Sequence, residues 1–369
     1  MTSLETTFRN KRVLVTGHTG FKGSWLCEWL LALGAEVYGL SHRGDFPLFQ
    51  SLGLSERIKH HQLGDIQNAV ALQDFIQDAQ PDFAFHLAAQ PLVLASYESP
   101  VETFSTNVMG TCHFLEGMRT LQKRCVAIVI TTDKCYENKE WLHSYRENDA
   151  MGGKDPYSAS KGACELLIAS YRRSFFAPQH DSPITIASAR AGNVIGGGDW
   201  AENRIVPDCM RALIDGQPIL VRNPVATRPW QHVLDPLSGY LKLAATISQH
   251  SSNDLEFLEE LTSGMNFGPQ TEANRTVCDL VQEITQHWPG PWESLPPKGI
   301  KREAGKLALS IDKAFHLLDW GPTWDFSKSV EMTTRWYRAV HEGAAAIAIT
   351  QDQIQQYAAK LDNLTTTQP

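Results

Sequence analysis

The chain has 369 residues, of which 42% are hydrophobic and 20% charged, with 26 glycines and 19 prolines, a balance that excludes disordered, collagenous and disulfide-scaffold classes. Thirty-three Lys and Arg against 41 Asp and Glu leave a formal charge of −8, which speaks against nucleic acid as a partner. No apolar run approaches the roughly 20 residues that cross a bilayer, and residues 1–12 carry no apolar signal core, so a cytoplasmic protein with no membrane partner is expected.

Arg12-Val13-Leu14-Val15-Thr16 is a β-branched apolar run, followed by a glycine-punctuated turn, a helical pattern over 24–33 closed by Gly34, and a second strand over 35–40. This β-turn-α-β unit opens an α/β fold with a doubly wound parallel sheet. Buried strands are expected over 83–88, 126–131 and 184–190, with helices over 69–78, 101–120 and 158–176 among them. After Asn193 the alternation gives way to Gly196-Gly197-Gly198, several prolines and short apolar segments, the mark of a smaller C-terminal lobe. The stretch 248–260 is polar and acidic, 288–301 is rich in Pro and Gly, and 365–369 reads as a frayed tail. Seven cysteines (Cys27, Cys112, Cys125, Cys135, Cys164, Cys209, Cys278) are scattered without any Cys-x-x-Cys, which points to reduced thiols and no metal site.

The turn after the first strand reads Thr16-Gly17-His18-Thr19-Gly20-Phe21-Lys22-Gly23, spaced G-x-x-G-x-x-G. Glycines between a strand and a helix let backbone approach a pyrophosphate, whose charge the free N–H groups of the helix N-terminus stabilise. Dinucleotide binding is therefore expected, in a Rossmann-type domain over 1–192 with return segments after 225, and a substrate-binding lobe over 193–360. Tyr157-Ser158-Ala159-Ser160-Lys161 puts a tyrosine and a lysine one helical turn apart on one face. Thr131-Thr132 ends the strand upstream.

The order glycine turn, Thr132, Tyr157 and Lys161 resembles the extended short-chain dehydrogenase/reductase family. That resemblance implies a cofactor cradle from Gly17, His18, Gly20, Phe21, Lys22 and Gly23, an adenine-side contact at Asp65 and Ile66, and a strand end at Leu87, Ala88 and Ala89 beneath the cofactor. Asn107 is expected as a packing residue on its helix. The acidic residue that usually binds the adenosine ribose is missing from Leu40-Ser41-His42-Arg43-Gly44-Asp45. Ser41 and Arg43 could hold a 2′-phosphate, so NAD is expected with NADP as the alternative.

Thr131-Thr132-Asp133-Lys134-Cys135-Tyr136-Glu137-Asn138, Arg190-Ala191-Gly192-Asn193 and Arg228-Pro229-Trp230-Gln231-His232 resemble, within that family, the sugar-nucleotide dehydratases that act on CDP-glucose. Related dTDP-glucose and GDP-mannose dehydratases carry Glu where Lys134 stands. The resemblance implies a lyase that oxidises C4 of the hexose, eliminates water across C5 and C6 and returns the hydride to C6, in deoxysugar and O-antigen-type polysaccharide synthesis. It assigns Tyr157 as base at the 4-hydroxyl, with Lys161 lowering its pKa and Thr132 bonding the same hydroxyl. Asp133 becomes the acid at the leaving 6-hydroxyl, and Lys134 acts at C5 as a neutral base or an enolate-stabilising cation. Asn193, Arg204 and Arg228 are expected to hold the nucleotide of CDP-glucose. Helices over 101–120 and 157–176, with Leu115, Met118, Leu166 and Ile168 on their faces, are expected to pair two copies into a homodimer, with a tetramer as the larger alternative. An epimerase of the same family would share Thr132, Tyr157 and Lys161 without the Asp133-Lys134 pair.

Overall fold

The structure, a computed structural model, describes residues 3–177, 180, 182–250, 254–295 and 307–366, without side chains from 362 on. The segment 296–301 of the Pro- and Gly-rich stretch and the tail from 367 lie outside the described residues. Seven strands form one sheet: β1 (Arg12–Thr16), β2 (Glu36–Ser41), β3 (His60–Leu63), β4 (Phe83–His86), β5 (Cys125–Ile130), β6 (Ile184–Ala191) and β7 (Gly264–Phe267). Their order is β7-β6-β5-β4-β1-β2-β3 and every pairing is parallel. The order reverses between β1 and β4, so a crevice opens beyond their carboxyl ends, where such sheets bind ligands.

A sheet covered on both faces needs strands apolar on both faces, and successive side chains here enter two different cores. Val13, Val15, Phe83, Phe85, Val126, Ile128 and Ile130 pack into one. Leu14, Ala84, Ala127 and Val129 pack into the other. The first core is covered by helix α1 (Phe21–Ala32), and the second by α2 (Ala69–Ala79), α3 (Gly110–Arg119) and α4 (Pro156–Tyr171).

Three features differ from the sequence pattern. Helix α1 starts inside the glycine motif, because Gly23 belongs to its first turn. The helix expected over 101–120 runs from Pro100 to Arg119 and widens into a single broad turn at Ser105–Met109, where Asn107 is buried. A second wide turn, Arg172–Phe176, ends the helix that carries Tyr157. Leu115, Met118 and Ile168 lie in the core at 1% exposure or less, and of the four apolar side chains expected on a pairing face only Leu166 is exposed, at 65%. The register of α3 and α4 against the sheet turns those three inward, and the exposed large apolar side chains on these segments are Val101, Phe104, Met109, Leu166 and Phe175.

Residue 193 marks the start of excursions from the sheet. Helix α5 (Leu234–Gln249) packs on β5, β6 and β7, and β7 itself extends the sheet beside β6. Helix α6 (Phe326–His341) is followed by α7 (Ala346–Thr366), which returns to α1, where Tyr357 meets Trp29 edge to face at 5.6 Å. The remaining lobe is built from short ribbons, among them Thr227–Pro229 paired with Asn274–Thr276.

Candidate active site

The glycine motif makes a cradle. Gly17 sits at φ +73, and a Cβ there would lie 2.7 Å from Ala88 N, so glycine alone lets the turn rest on the loop after β4. A Cβ on Gly23 would lie 2.1 Å from Gly17 O, which seats the first turn of α1 against the motif. Gly20 differs, because its Cβ would meet only Gly17 O, at 3.4 Å, and otherwise points into open space. Gly20 is also the N-cap of α1 with no side-chain cap bond, leaving backbone N–H groups for an anion. The cradle fits a dinucleotide pyrophosphate.

His18 packs beneath this turn. Its ring fills the space that Gly39 leaves, where a Cβ would lie 2.3 Å from His18 Cδ2, and its Nε2 is 2.7 Å from His61 Nδ1. Burial lowers its pKa to about 4, so the pair is neutral. Ser41 Oγ accepts from Thr19 N at 3.3 Å. Arg43 is held by Asp45 through two bonds of 2.5 and 2.6 Å and lies 4.9 Å over the Phe46 ring. The Arg43 charge thus already has a carboxylate partner. Asp65 is exposed, and its Oδ1 accepts from Gln67 N at 2.9 Å, which closes a turn. Ile66 is buried against Gly110. Leu87 N donates to Thr16 O, and Leu87, Ala88 and Ala89 are half-buried above β4. Asn107 clamps this loop to α4, its Oδ1 accepting from Gln90 N at 2.8 Å and its Nδ2 donating to Ser160 Oγ at 2.8 Å.

The ends of β5 and α4 meet beside the cradle. Asp155 caps α4 by accepting from Ser158 N at 2.9 Å, and Pro156 occupies its first turn, which fixes Tyr157 at the helix start and Lys161 one turn on. Tyr157 hydrogen-bonds Thr132, and the Thr132 hydroxyl donates to Asp133 Oδ1 at 2.9 Å. Lys161 Nζ donates to Ile130 O at 3.4 Å. The Asp133 carboxylate occupies the space beside Gly192, where a Cβ would lie 3.1 Å from Oδ2. Lys134 Nζ donates to Asn193 Oδ1 at 3.3 Å, and Arg204 Nη1 to Asp199 Oδ2 at 2.9 Å.

Burial pushes the Tyr157 phenol above its ordinary range, while the Thr132 bond pulls it down, Asp133 raises it and Arg204 lowers it. Thr132 and Arg204 are thus protein groups that oppose burial at Tyr157. Burial lowers Lys161, against the anion-side influence of Cys164, Glu165 and Cys135. Lys22, named from the glycine motif, is lowered by burial to about 8 within the fields of Asp133, Arg204, Lys161 and Lys134. Its ammonium therefore belongs to the reacting end of the crevice.

Thr132, Asp133, Lys134, Tyr157, Lys161, Asn193, Arg204 and Lys22 form one connected cluster. Arg228 stands on the ribbon in register with Arg275, and its Nη1 donates to Thr227 O at 2.8 Å. Glu165 and Arg190, buried directly beneath the cluster, were not singled out from the sequence, although Glu165 stands one further helical turn beyond Lys161 on the same face. Among the described residues no group of three or more His, Cys, Asp or Glu could hold a metal ion, and no helix is long and apolar enough to cross a membrane.

A family model described as GDP-mannose 4,6 dehydratase matches residues 14–333. The chain is 42% identical over 360 residues to CDP-glucose 4,6-dehydratase of Salmonella typhimurium, covering 95% of this chain and 97% of that protein. Its fold is similar to an epimerase from Methanothermobacter thermautotrophicus, with a TM-score of 0.76 at 23% identity over 92% of this chain and 95% of that one. It is similar as well to a dTDP-glucose 4,6-dehydratase from Streptomyces venezuelae solved with NAD bound, with a TM-score of 0.72 at 22% identity over 89% and 97% of the two chains.

Proposed function

Because the chain belongs to the GDP-mannose 4,6-dehydratase family of sugar-nucleotide dehydratases, we propose that it converts CDP-glucose to CDP-4-keto-6-deoxyglucose and water. The observation that carries this reading is the joining of Asp133, at 4% exposure, to Tyr157 through the single hydroxyl of Thr132. An epimerase needs only the Tyr157 side of that arrangement; an elimination also needs an acid at the leaving hydroxyl.

A dinucleotide whose pyrophosphate rests on the glycine cradle would supply, through its nicotinamide, a hydride acceptor for C4 and a hydride donor for C6, so that no net oxidation would result. Tyr157 takes the proton of the 4-hydroxyl, and Thr132 orients that hydroxyl by a second hydrogen bond. Lys161, fixed by the Ile130 carbonyl, places a positive charge beside the phenolate that forms. Loss of the C4 hydrogen makes the C5 hydrogen acidic, and Lys134, tethered to Asn193, is the group at hand to take that proton or to stabilise the enolate. Asp133, in its protonated form, gives a proton to the 6-hydroxyl as water leaves, and a proton returns to C5 once C6 has been reduced, so that the 4-hydroxyl proton is the one that ends in the water. Arg204, Asn193 and Arg228 supply charge and hydrogen bonds for the CDP diphosphate.

NAD is the cofactor this reading assigns, the dinucleotide bound in the dTDP-glucose 4,6-dehydratase of similar fold. Two copies would associate through the segments bearing Val101, Met109 and Leu166, as a homodimer or a pair of dimers. A cytoplasmic place of action accords with seven unpaired thiols.

The test is incubation with CDP-glucose and substoichiometric NAD. A 4-keto sugar nucleotide, detected by its alkaline chromophore, should form without accumulating reduced nicotinamide. Product only from another sugar nucleotide, or reduced nicotinamide in proportion to product, would overturn the reading. Activity restored to stripped protein by NADP alone would overturn the cofactor choice.

A further inference from the structure

Beneath the reacting cluster lies a buried ion pair that the proposed chemistry does not use. Arg190 Nη2 is 2.7 Å from Glu165 Oε2, and both side chains are 5% exposed or less. Ser188 Oγ donates to the same Oε2 at 2.8 Å, and Thr131 Oγ1 donates to Oε1. The other arm of the guanidinium donates from Nη1 to Tyr136 OH at 2.7 Å and to Glu147 O at 2.9 Å. Tyr136 OH in turn donates to Asn266 Oδ1 at 2.7 Å on β7. Gly264 makes room for the guanidinium, since a Cβ there would lie 2.2 Å from Nη2.

The chain positions of these groups carry the argument. Thr131 immediately precedes Thr132 and Asp133. Glu165 lies one turn beyond Lys161 and two beyond Tyr157 on the same face of α4. Arg190 lies on β6 shortly before Asn193, the partner of Lys134. A charged pair taken out of water is an expensive way to gain stability, whereas a guanidinium that donates from Nη2 to Glu165 and from Nη1 to Tyr136 OH and Glu147 O ties separate segments into one geometry. We propose that Glu165 and Arg190 are positioning residues that hold the Thr132-Asp133, Tyr157-Lys161 and Lys134-Asn193 segments in mutual register, with the Glu165 carboxylate balancing the charge of the Lys161 ammonium.

The groups facing Lys161 are Cys164 and Glu165 on its own helix, Cys135 after β5, His86 on β4 and Lys22 on α1. Burial keeps the His86 ring neutral, at about 3, and the two cysteines are pushed up as thiols. Glu165, itself paired to Arg190, is therefore the anion that acts on Lys161, with Lys22 and Arg190 the nearby cations and the Tyr157 phenol one turn back on the same face.

The inference rests on the dehydratase reading. The experiment is a set of pH–rate profiles with CDP-glucose and NAD for wild type, Glu165→Gln and the double variant Glu165→Gln/Arg190→Met. Glu165→Gln keeps the hydrogen-bond shape and removes the charge; its kcat should fall about tenfold or more with KM nearly unchanged. Its alkaline limb should move to lower pH by about one unit, because Lys161 loses its anion. The double variant removes both members of the Glu165–Arg190 pair and so strands neither of them, which keeps the test open if the single variant fails to fold. It should show the low kcat with a smaller displacement of the limb. Wild-type kcat in the folded double variant, or a limb that does not move in a folded Glu165→Gln, would overturn the inference in an active enzyme. A wild type without turnover of CDP-glucose would instead sink the dehydratase reading and this inference with it.

Discussion

Replacing Gly20 by alanine separates binding from folding more cleanly than any other change in the glycine motif. Gly20 has φ −67 and ψ 169, an extended conformation open to any residue, and the new methyl would meet only Gly17 O at 3.4 Å. Loss of glycine's unfolded-state freedom stabilises by about 0.4–1 kcal/mol, and alanine at an N-cap costs about 0.5–1 kcal/mol relative to glycine. The two nearly cancel, so the melting temperature should stay within a few degrees of wild type. The methyl nevertheless projects into the space where the pyrophosphate must reach the N–H groups of α1. Losing one charge-assisted contact of about 1.5–3 kcal/mol weakens NAD binding by roughly 10- to 150-fold. Gly17→Ala and Gly23→Ala should behave differently. The first forces a side chain into φ +73 with a Cβ 2.7 Å from Ala88 N, and the second drives a Cβ to 2.1 Å from Gly17 O. Each should cost about 2–4 kcal/mol of stability from backbone strain and overpacking. Thermal melts of the three variants, paired with calorimetric titration of NAD, read both quantities. A Gly20→Ala protein that melts normally and binds NAD as wild type does would refute the placement of the pyrophosphate over this turn.

Tyr157→Phe should lower kcat by about 10²–10⁴-fold with unchanged NAD binding, checked by single-turnover absorbance; near-normal reduction of the nicotinamide would remove Tyr157 as the base. Arg204→Ala should raise KM for CDP-glucose about tenfold or more and exceed the effect of Arg228→Ala, since Arg204 shares the field of Tyr157 and Lys22; the reverse ranking in initial-rate data would move the diphosphate towards the ribbon. Leu166→Glu should shift the mass measured by light scattering to that of a monomer, and an unchanged oligomer would relocate the interface. Asp235 is fully buried, accepting from Tyr357 OH at 2.7 Å and Thr323 N at 2.8 Å, and its carboxyl is pushed by burial from 3.8 to about 6. The native state thus keeps this proton to higher pH than the unfolded chain does. About 3 kcal/mol of stability is present below pH ~4 and lost as pH rises through ~6. His86 and His232, both lowered to about 3 by burial, act in the opposite sense, losing stability as pH falls below 6.5. The difference between wild type and Asp235→Asn in denaturant melts from pH 4 to 7 isolates the carboxyl; parallel curves would show that it ionises normally.

Local chemistry was legible along the chain. Continuous apolar runs marked the strands, since neighbours such as Val13 and Leu14 enter opposite cores and both must be apolar. The glycine spacing marked the cradle, because a positive φ and a close backbone approach admit glycine alone. The spacing of Tyr157 and Lys161 put them on one helical face before any partner was known, and the Thr132 strand end supplied the third member. Quantities that depend on two distant segments were decided only by packing. Leu115, Met118 and Ile168 look like Leu166 in the sequence, yet the register of α3 and α4 buries three of them and exposes the fourth. Glu165, one turn beyond Lys161, and Arg190, at the head of its motif, read as one helical acid and one strand base until β6 lies beside β5 and α4 closes over both. A buried charge is tolerable only with its partner in place, and that partner stands 25 residues away in the chain. The sequence by itself determined which residues could do the chemistry; tertiary packing decided which of them share one low-dielectric site, because hydrogen bonds and charge pairing depend on distances that no linear spacing sets.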